Sequence, residues 1–435
     1  MAATNKQIES VTIEKLIYGG DGLAHYDGRT VFVPFVLPEE RIAARIVEDK
    51  KKFVRAQLEK VLGASPHRVA PQCPHFGVCG GCNYQHISYE NQLRCKSEIL
   101  RETLRRIGGI EYPGNIPVHS AQPWGYRNRA QWKVRPFGDA APGLLNPSQL
   151  AFGYFRANTA SICAIQDCPI LSPLLLKALL VLRHGFATAT PGVREFEAFV
   201  NASDSKLLLT AAFSSFPSDT KRIADILRAL LPELESLLLH DPMHDRMELF
   251  GPGFIDYETR AAKYRVGHFS FFQVNRFLAD QLQECVVGPR DTGRLALDLF
   301  AGVGLFSVPL AKQFEHVVAV EANPAAARDL EANVRGHGTI EVRNSDVERF
   351  LDRCKEKPDL IVLDPPRGGM SPGAVARLAR LASEQITYVS CEPPTLARDL
   401  KGLRGAGYAI SEVLLFDLFP QTFHMEAVVR LKRSK

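Results

Sequence analysis

A thiol becomes a nucleophile when its surroundings are polar and open, and one cysteine of this chain has such surroundings. "YVSCEPPTLARDL" (Tyr388 to Leu400) runs an apolar lead-in onto Ser390-Cys391-Glu392, and two prolines stop the strand before a helical stretch. Residue type alone favours a buried small hydrophobe at Cys391, but the polar, proline-stopped setting favours a reactive thiol. "LIVLDPPRGG" ends another apolar run on Asp364-Pro365-Pro366-Arg367, which holds Asp364 at a strand end in the same way. In "DLFPQTFHMEAVVRL", Glu426 heads an apolar run that reads as a closing strand; a surface glutamate is the ordinary alternative. Cys95, Cys285 and Cys354 lie on helical patterns and read as packing.

A second group of residues suits a cofactor. "LDLFAGVGLFSVPLA" (Leu297 to Ala311) sets Gly302 and Gly304 between a strand and a helix, where glycines let the backbone approach a ligand closely. A tight turn that binds nothing is the bland alternative. Seventeen positions past Gly304, Glu321 ends the next strand, where an acid can take the two ribose hydroxyls of an adenosine group. Asp346, ending the strand after that, is placed for the adenine edge. The third glycine of a dinucleotide fingerprint is replaced by Ser307, so S-adenosylmethionine (SAM) fits this acidic, phosphate-free pattern better.

A third group could hold a metal. Cys73-x5-Cys79-x2-Cys82 puts three thiols in one loop, and "QDCP" offers a fourth at Cys168, with Cys163 close by in sequence. Four thiolates suit zinc or a [4Fe–4S] cluster. The x5/x2 spacing differs from the x3/x2 spacing of radical-SAM enzymes. In "GYRNRAQWKVR" (Gly125 to Arg135), Arg127, Arg129, Lys133 and Arg135 interleave with Tyr126 and Trp132 and no acid. Such a strip could grip single-stranded RNA by phosphate pairing and base stacking, or could be a solvated strand face.

The elements that must position these residues fall into three expected units. Residues 1–62 hold short β-type runs separated by Gly19-Gly20-Asp21-Gly22 and Asp27-Gly28, a pattern that predicts a small barrel. Between Arg41 and Lys60 seven Lys or Arg face three acids, which reads as a solvated face that could also meet RNA. Residues 63–265 are expected to form a mixed α+β unit with the cysteine loop and a helix over about 88–109, ended by Gly108-Gly109. From 266 to 435, apolar strands alternate with helices, which predicts a doubly wound parallel sheet binding ligands at its carboxyl edge. The opening "MAATNKQIES" has no leader pattern, and no apolar run approaches the ~20 residues that span a bilayer. An odd count of nine cysteines points away from a secreted disulfide scaffold, toward a reduced cytoplasm. A net charge of +5 permits a polyanionic partner without requiring one.

Taken in order, "FSFFQVN", "DLFAGVG", "DPPR", "SCEPPTLARD" and "FPQTFHMEAV", with the cysteine loop, resemble the RNA (uracil-C5)-methyltransferases that carry a TRAM domain and an iron–sulfur cluster, the 23S rRNA type. The resemblance covers nearly the whole chain. It implies an α/β SAM-dependent methyltransferase domain behind a TRAM barrel and an iron–sulfur domain, acting as a cytoplasmic monomer. Cys391 is then the nucleophile that adds to uracil carbon 6, Glu426 the base that removes the carbon-5 proton, and Asp364 the group that holds the ring edge. Gln273, Phe300, Glu321 and Asp346 line SAM, and Cys73, Cys79, Cys82 and Cys168 hold a [4Fe–4S] cluster. Phe271 is the candidate for stacking on the flipped base, with an ordinary core phenylalanine as the alternative. Leu305 stands where such enzymes often carry a polar residue, which puts one SAM contact in question. Two other readings compete: a tRNA uridine methyltransferase, and an amino-methyltransferase using "DPP" to dock an exocyclic amine. The second leaves Cys391 idle and has Arg367 where an aromatic ring is wanted. A third, an RNA-binding module without activity, is opposed by the intact Cys391, Asp364 and Glu426.

Overall fold

The computed structural model describes residues 6–136, 150–186, 192–288 and 292–434; the opening residues 1–5 lie outside that range. At the N-terminus a six-stranded sheet runs, in spatial order, Gln7–Thr12, Arg41–Asp49, Phe53–Gly63, Arg29–Val33, Gly22–Tyr26 and Lys15–Leu16. Period-2 alternation decides which side chains point inward. Ile42, Ala44 and Ile46 face a core shared with Ile8, Val31 and Val33, while Arg41 and Arg45 at the alternate positions solvate or pair, Arg45 with Glu59. Leu16 and Leu37 leave this core and pack instead with the C-terminal domain.

The helix Tyr89–Gly108 ends on Gly109, whose φ of 61° lies in the left-handed region that glycine adopts freely. Its apolar face, Ile99, Leu100 and Leu104, joins Leu396, Leu400 and Leu403 of the helix Pro393–Gly405. Gly108 permits the close crossing, since a Cβ there would stand 3.0 Å from the Ala397 carbonyl. A seven-stranded sheet follows, in spatial order Ile162–Ala164, Leu150–Phe155, Arg129–Pro136, Val193–Val200, Leu207–Phe213, Leu234–Asp241 and Arg246–Phe250. Its one parallel pair, Leu207–Phe213 with Leu234–Asp241, is joined through the helix Thr220–Leu230, as a parallel crossover requires.

The C-terminal sheet has eight strands among the described residues: Ile340–Asn344, Phe314–Glu321, Gly293–Leu299, Leu360–Leu363, Gln385–Ser390, Glu426–Arg433, Tyr408–Phe416 and Val118–His119, in that spatial order. The first five are parallel. The inner four, buried on both faces along most of their length, read as the apolar runs seen in the sequence, while the edge strand Ile340–Asn344 is only partly buried. Glu426–Arg433 closes the sheet antiparallel to both its neighbours. Strand order reverses between Gly293–Leu299 and Leu360–Leu363, which opens a crevice at their carboxyl ends. The edge strand Val118–His119 comes from the segment after the long helix, a contribution too short to read from periodicity.

Candidate active site

Three neighbouring strands present three chemically able side chains at one edge of the sheet. Asp364 follows Leu360–Leu363, and its N–H donates to the Leu299 carbonyl at 3.3 Å; Pro365 and Pro366 prevent the strand from running on. Cys391 follows Gln385–Ser390, and Pro393 starts the next helix two residues later. Glu426 opens the antiparallel strand between Gln385–Ser390 and Tyr408–Phe416, at the same edge of the sheet because it enters where its neighbours leave. The fold therefore brings Cys391, Asp364 and Glu426 together.

Their electrostatics follow from that crowding. Burial, then the facing Glu426 and Asp364 carboxylates, push the Cys391 thiol up to about 12, with Arg367 acting in the opposite sense. The thiol is therefore neutral at rest. Burial and then Asp298 push Asp364 up to about 7. Glu426 is raised well above the ordinary carboxylate range by burial and by Asp364. Its Oε1 is buried without a hydrogen-bond partner, which is costly unless something that enters the site uses it.

The cofactor side is built on the reversal crevice. Phe300, Gly302 and Gly304 all take positive φ (64°, 57° and 93°). Nothing lies within 4 Å of a Cβ placed on Gly302, whereas one on Gly304 would strike Leu330 Cδ1 at 2.7 Å, so glycine is required there for packing. Glu321 ends its strand with both carboxylate oxygens accepting backbone N–H groups, Gly302 at 2.8 Å and Asn323 at 2.6 Å, which tie it to the glycine loop. Asp346 is exposed at its strand end and caps the helix Val347–Arg353. Gln273, buried, lies 3.5 Å from the Asp364 carboxyl through its Nε2, and its carbonyl is held by Asn128 at 2.9 Å. Leu305 is buried in the core, and its carbonyl takes hydrogen bonds from Tyr264 and Gln283. Sequence reasoning missed Asp298: it sits buried under the loop, bonded by the Ser307 hydroxyl, and burial pushes it up to about 7. The signal was there, an acid inside the apolar run "LALDLF".

Phe271 is 59% exposed, next to buried Phe272 and two residues before Gln273. The basic strip is different, and here the expectation is corrected. Trp132 and Tyr126 are fully buried, so neither ring has a face to offer a base. Arg127 lines an internal cavity and donates to the Arg129 carbonyl. Arg129 pairs with Glu197 at 2.7 Å, donates to the Ser270 carbonyl and lies over Phe199; Lys133 pairs with Glu195. The acids that neutralise the strip come from the neighbouring strand Val193–Val200, which no local window of sequence reveals. Of this strip Arg135 is exposed.

The four thiols Cys73, Cys79, Cys82 and Cys168 line one cavity of about 280 Å³, with Arg367, Phe419, Thr422 and His424 of the C-terminal domain on its far wall. Gly80 allows the loop to reach it, since a Cβ would stand 3.1 Å from the Phe155 carbonyl. Burial pushes Cys79 up to about 12 and Cys82 to about 11, and the neighbouring thiols add to the rise at Cys79, Cys82 and Cys168. Cys163 is buried beside Cys73 and Cys79 and does not line the cavity. Among the described residues no three His, Cys, Asp or Glu side chains close on a single metal ion. No helix among them is long and apolar enough to cross a membrane.

Comparison with known proteins gives a consistent result. The tRNA (Uracil-5-)-methyltransferase family matches residues 351–434, the TRM5/TYW2 methyltransferase domain residues 283–368 and the TRAM domain residues 3–58. An uncharacterized RNA methyltransferase of Aquifex aeolicus is 33% identical over 97% of this chain and 98% of its own. The 23S rRNA (uracil(1939)-C(5))-methyltransferase RlmD of Vibrio parahaemolyticus is 31% identical over 99% of this chain and 97% of its own. Among solved structures, the Pyrococcus abyssi tRNA (uracil-54, C5)-methyltransferase in complex with S-adenosyl-L-homocysteine superposes with a TM-score of 0.73. It is 27% identical, over 97% of this chain and 99% of that one.

Proposed function

The chain belongs to the RNA (uracil-C5)-methyltransferases, and we propose that it methylates carbon 5 of one uridine in 23S rRNA through a covalent adduct on Cys391. The observation that carries this reading is the meeting of Cys391, Asp364 and Glu426 at one edge of the sheet, beside the glycine loop. SAM supplies a methyl group on a sulfonium. Carbon 5 of uracil is too weak a nucleophile to take it unaided. As the Cys391 sulfur bonds to carbon 6, the ring's double-bond electrons move toward the carbon-4 oxygen, and carbon 5 gains the electron density it lacked. The thiol proton must leave at this step, and Asp364, poised near neutrality, is the acceptor at hand. Once carbon 5 is methylated, Glu426 removes its remaining proton, the carbon 5–carbon 6 double bond re-forms and the sulfur is released. Burial raises the proton affinity of the Glu426 carboxylate, which takes that proton in its ionised form.

A uracil stacked in a helix cannot reach this edge, so the nucleotide is flipped into the crevice, with Phe271 as the ring on which it stacks and Asp364 at its polar edge. Gln273, Phe300, Gly302, Gly304, Glu321 and Asp346 form the SAM side. The enzyme acts as a cytoplasmic monomer. Cys73, Cys79, Cys82 and Cys168 would hold a [4Fe–4S] cluster: all four line one cavity, and as thiolates they repel one another without a cationic centre. There the cluster would supply a rigid covalent tie between the cysteine loop and the Cys168 segment. Anaerobically purified protein should carry iron and absorb near 400 nm (roughly, as thiolate-bound clusters do); stoichiometric zinc without iron would overturn this assignment.

The test of substrate is direct. Unmodified 23S rRNA and unmodified tRNA are incubated with the protein and SAM, digested, and analysed for 5-methyluridine by mass spectrometry. The nucleoside should arise in the 23S rRNA alone. Its formation in tRNA alone would replace the substrate, and an N-methylated base instead would overturn the reaction.

A further inference from the structure

The N-terminal barrel does more than flank the catalytic domain: one of its side chains reaches the catalytic edge. Tyr18 lies in the turn between the strands Lys15–Leu16 and Gly22–Tyr26, next to Gly19-Gly20. Its hydroxyl donates to Glu392 Oε2 at 2.8 Å and approaches the Cys391 carbonyl at 3.5 Å. Its ring meets Phe423 edge to face, 5.4 Å between centroids at 88°. Phe423 in turn packs against His424, two residues before Glu426. One half-buried aromatic side chain thus touches both the turn that carries the nucleophile and the segment that leads to the base.

The surroundings fix Tyr18 in place. Leu16 and Leu37 are buried in the core of the catalytic domain, so this side of the barrel is packed rather than tethered. Gly20 has φ 95°, and a Cβ there would stand 3.2 Å from the Phe423 ring, so the turn approaches that ring as closely as glycine allows. The other restraints on the Cys391–Glu392 turn act on its backbone: Ser390 Oγ accepts the Glu392 N–H at 3.2 Å, and the Glu392 carbonyl accepts from Thr395 Oγ1 and the Leu396 N–H, each at 3.0 Å, while the Glu392 carboxylate takes the Tyr18 hydroxyl.

Resting on the reaction proposed above, we infer that Tyr18 is a positioning residue for the reaction: through Glu392 and Phe423 it sets the Cys391 turn and the approach to Glu426 in register with the RNA-facing barrel. Physically, a hydrogen bond to a carboxylate is directional and among the stronger ones, and it ties Glu392 to the barrel. The ring contact gives the base segment a second, apolar restraint.

The experiment uses the full-length protein with saturating SAM and RNA carrying 5-fluorouridine, and follows the rate of the SDS-stable adduct in single turnover, beside RNA affinity measured separately. Tyr18→Phe keeps the ring on Phe423 and removes the hydroxyl. It should slow adduct formation about tenfold, the low end for losing a hydrogen bond to a charged group, with RNA affinity changed less than twofold. Glu392→Ala should slow it similarly, and the double variant should be no slower than either alone, because both break one bond. Lys15→Met, which breaks the barrel's bridge to Glu102 a few residues away, should leave the rate unchanged. Melting temperatures of the variants within about 2 °C of the parent exclude unfolding as the cause. An unchanged rate in Tyr18→Phe, additive losses in the double variant, or a loss confined to RNA affinity would overturn the inference. A parent protein that forms no adduct refutes the reaction itself, which is a different failure.

Discussion

Replacing Lys96 by methionine should weaken the catalytic domain by far more than the loss of one contact. Lys96 rises from the helix Tyr89–Gly108 into the catalytic domain, where its Nζ lies 2.5 Å from Asp417 Oδ1 and 3.1 Å from the Phe419 carbonyl. Both side chains of the pair are 0% exposed. Burial lowers the Lys96 ammonium from its ordinary value and Asp417 opposes that. Methionine matches the stem in length but leaves the Asp417 carboxylate buried with no cation. Breaking a buried pair from one side costs about 3–5 kcal/mol. For a domain of this size that is a fall of roughly 6–20 °C in its melting transition. The companion variant Lys96→Met/Asp417→Asn removes the stranded charge and should recover more than half of the loss. Calorimetry on the three proteins at one pH reads both effects. A fall under 2 °C in the single variant, or no recovery in the double one, would refute the claim that an uncompensated charge sets the cost.

Three further outcomes follow from the site. Glu426→Gln keeps the side chain's shape but cannot take the carbon-5 proton, so a methylated Cys391–RNA adduct should accumulate on ordinary uridine RNA, visible as a shifted band; rapid turnover in that variant would exclude Glu426 as the base. Asp298 has its folded value raised to about 7, above an unfolded value of about 3.9, so the folded state binds the extra proton and stability falls as pH rises between those values. Asp298→Asn should therefore gain stability relative to the parent from pH 4 to 7 in urea titrations, and a flat difference would contradict the buried-acid assignment. Gly304→Ala forces a side chain into φ 93° and against Leu330; a loss of about 1–3 kcal/mol is expected, with weakened SAM binding by calorimetry, and parental values for both would show that the loop tolerates the strain.

Sequence revealed some parts of this molecule better than others, for physical reasons. The inner parallel strands were legible because burial on both faces makes them apolar runs, and Asp364 and Cys391 were legible because prolines mark the strand ends that display them. The turn glycines and the helix ending at Gly109 were legible from backbone demands that few other residues meet. What failed was long-range: the Arg129 and Lys133 charges are spent on Glu197 and Glu195 from a strand paired more than sixty residues away. Trp132, read for its ring, is a core residue because period 2 turns it inward while its neighbours turn out. Tyr18 stood in a glycine-rich turn with nothing local to say that it meets residue 392.

The most direct measurement is the mass of the covalent product formed with SAM and RNA containing 5-fluorouridine, whose fluorine cannot leave as a proton. The account predicts one species equal to protein plus RNA plus one methyl group, attached at Cys391 and absent from Cys391→Ala. Undiminished adduct in that variant, or none in the parent while it still makes 5-methyluridine on normal RNA, would contradict it.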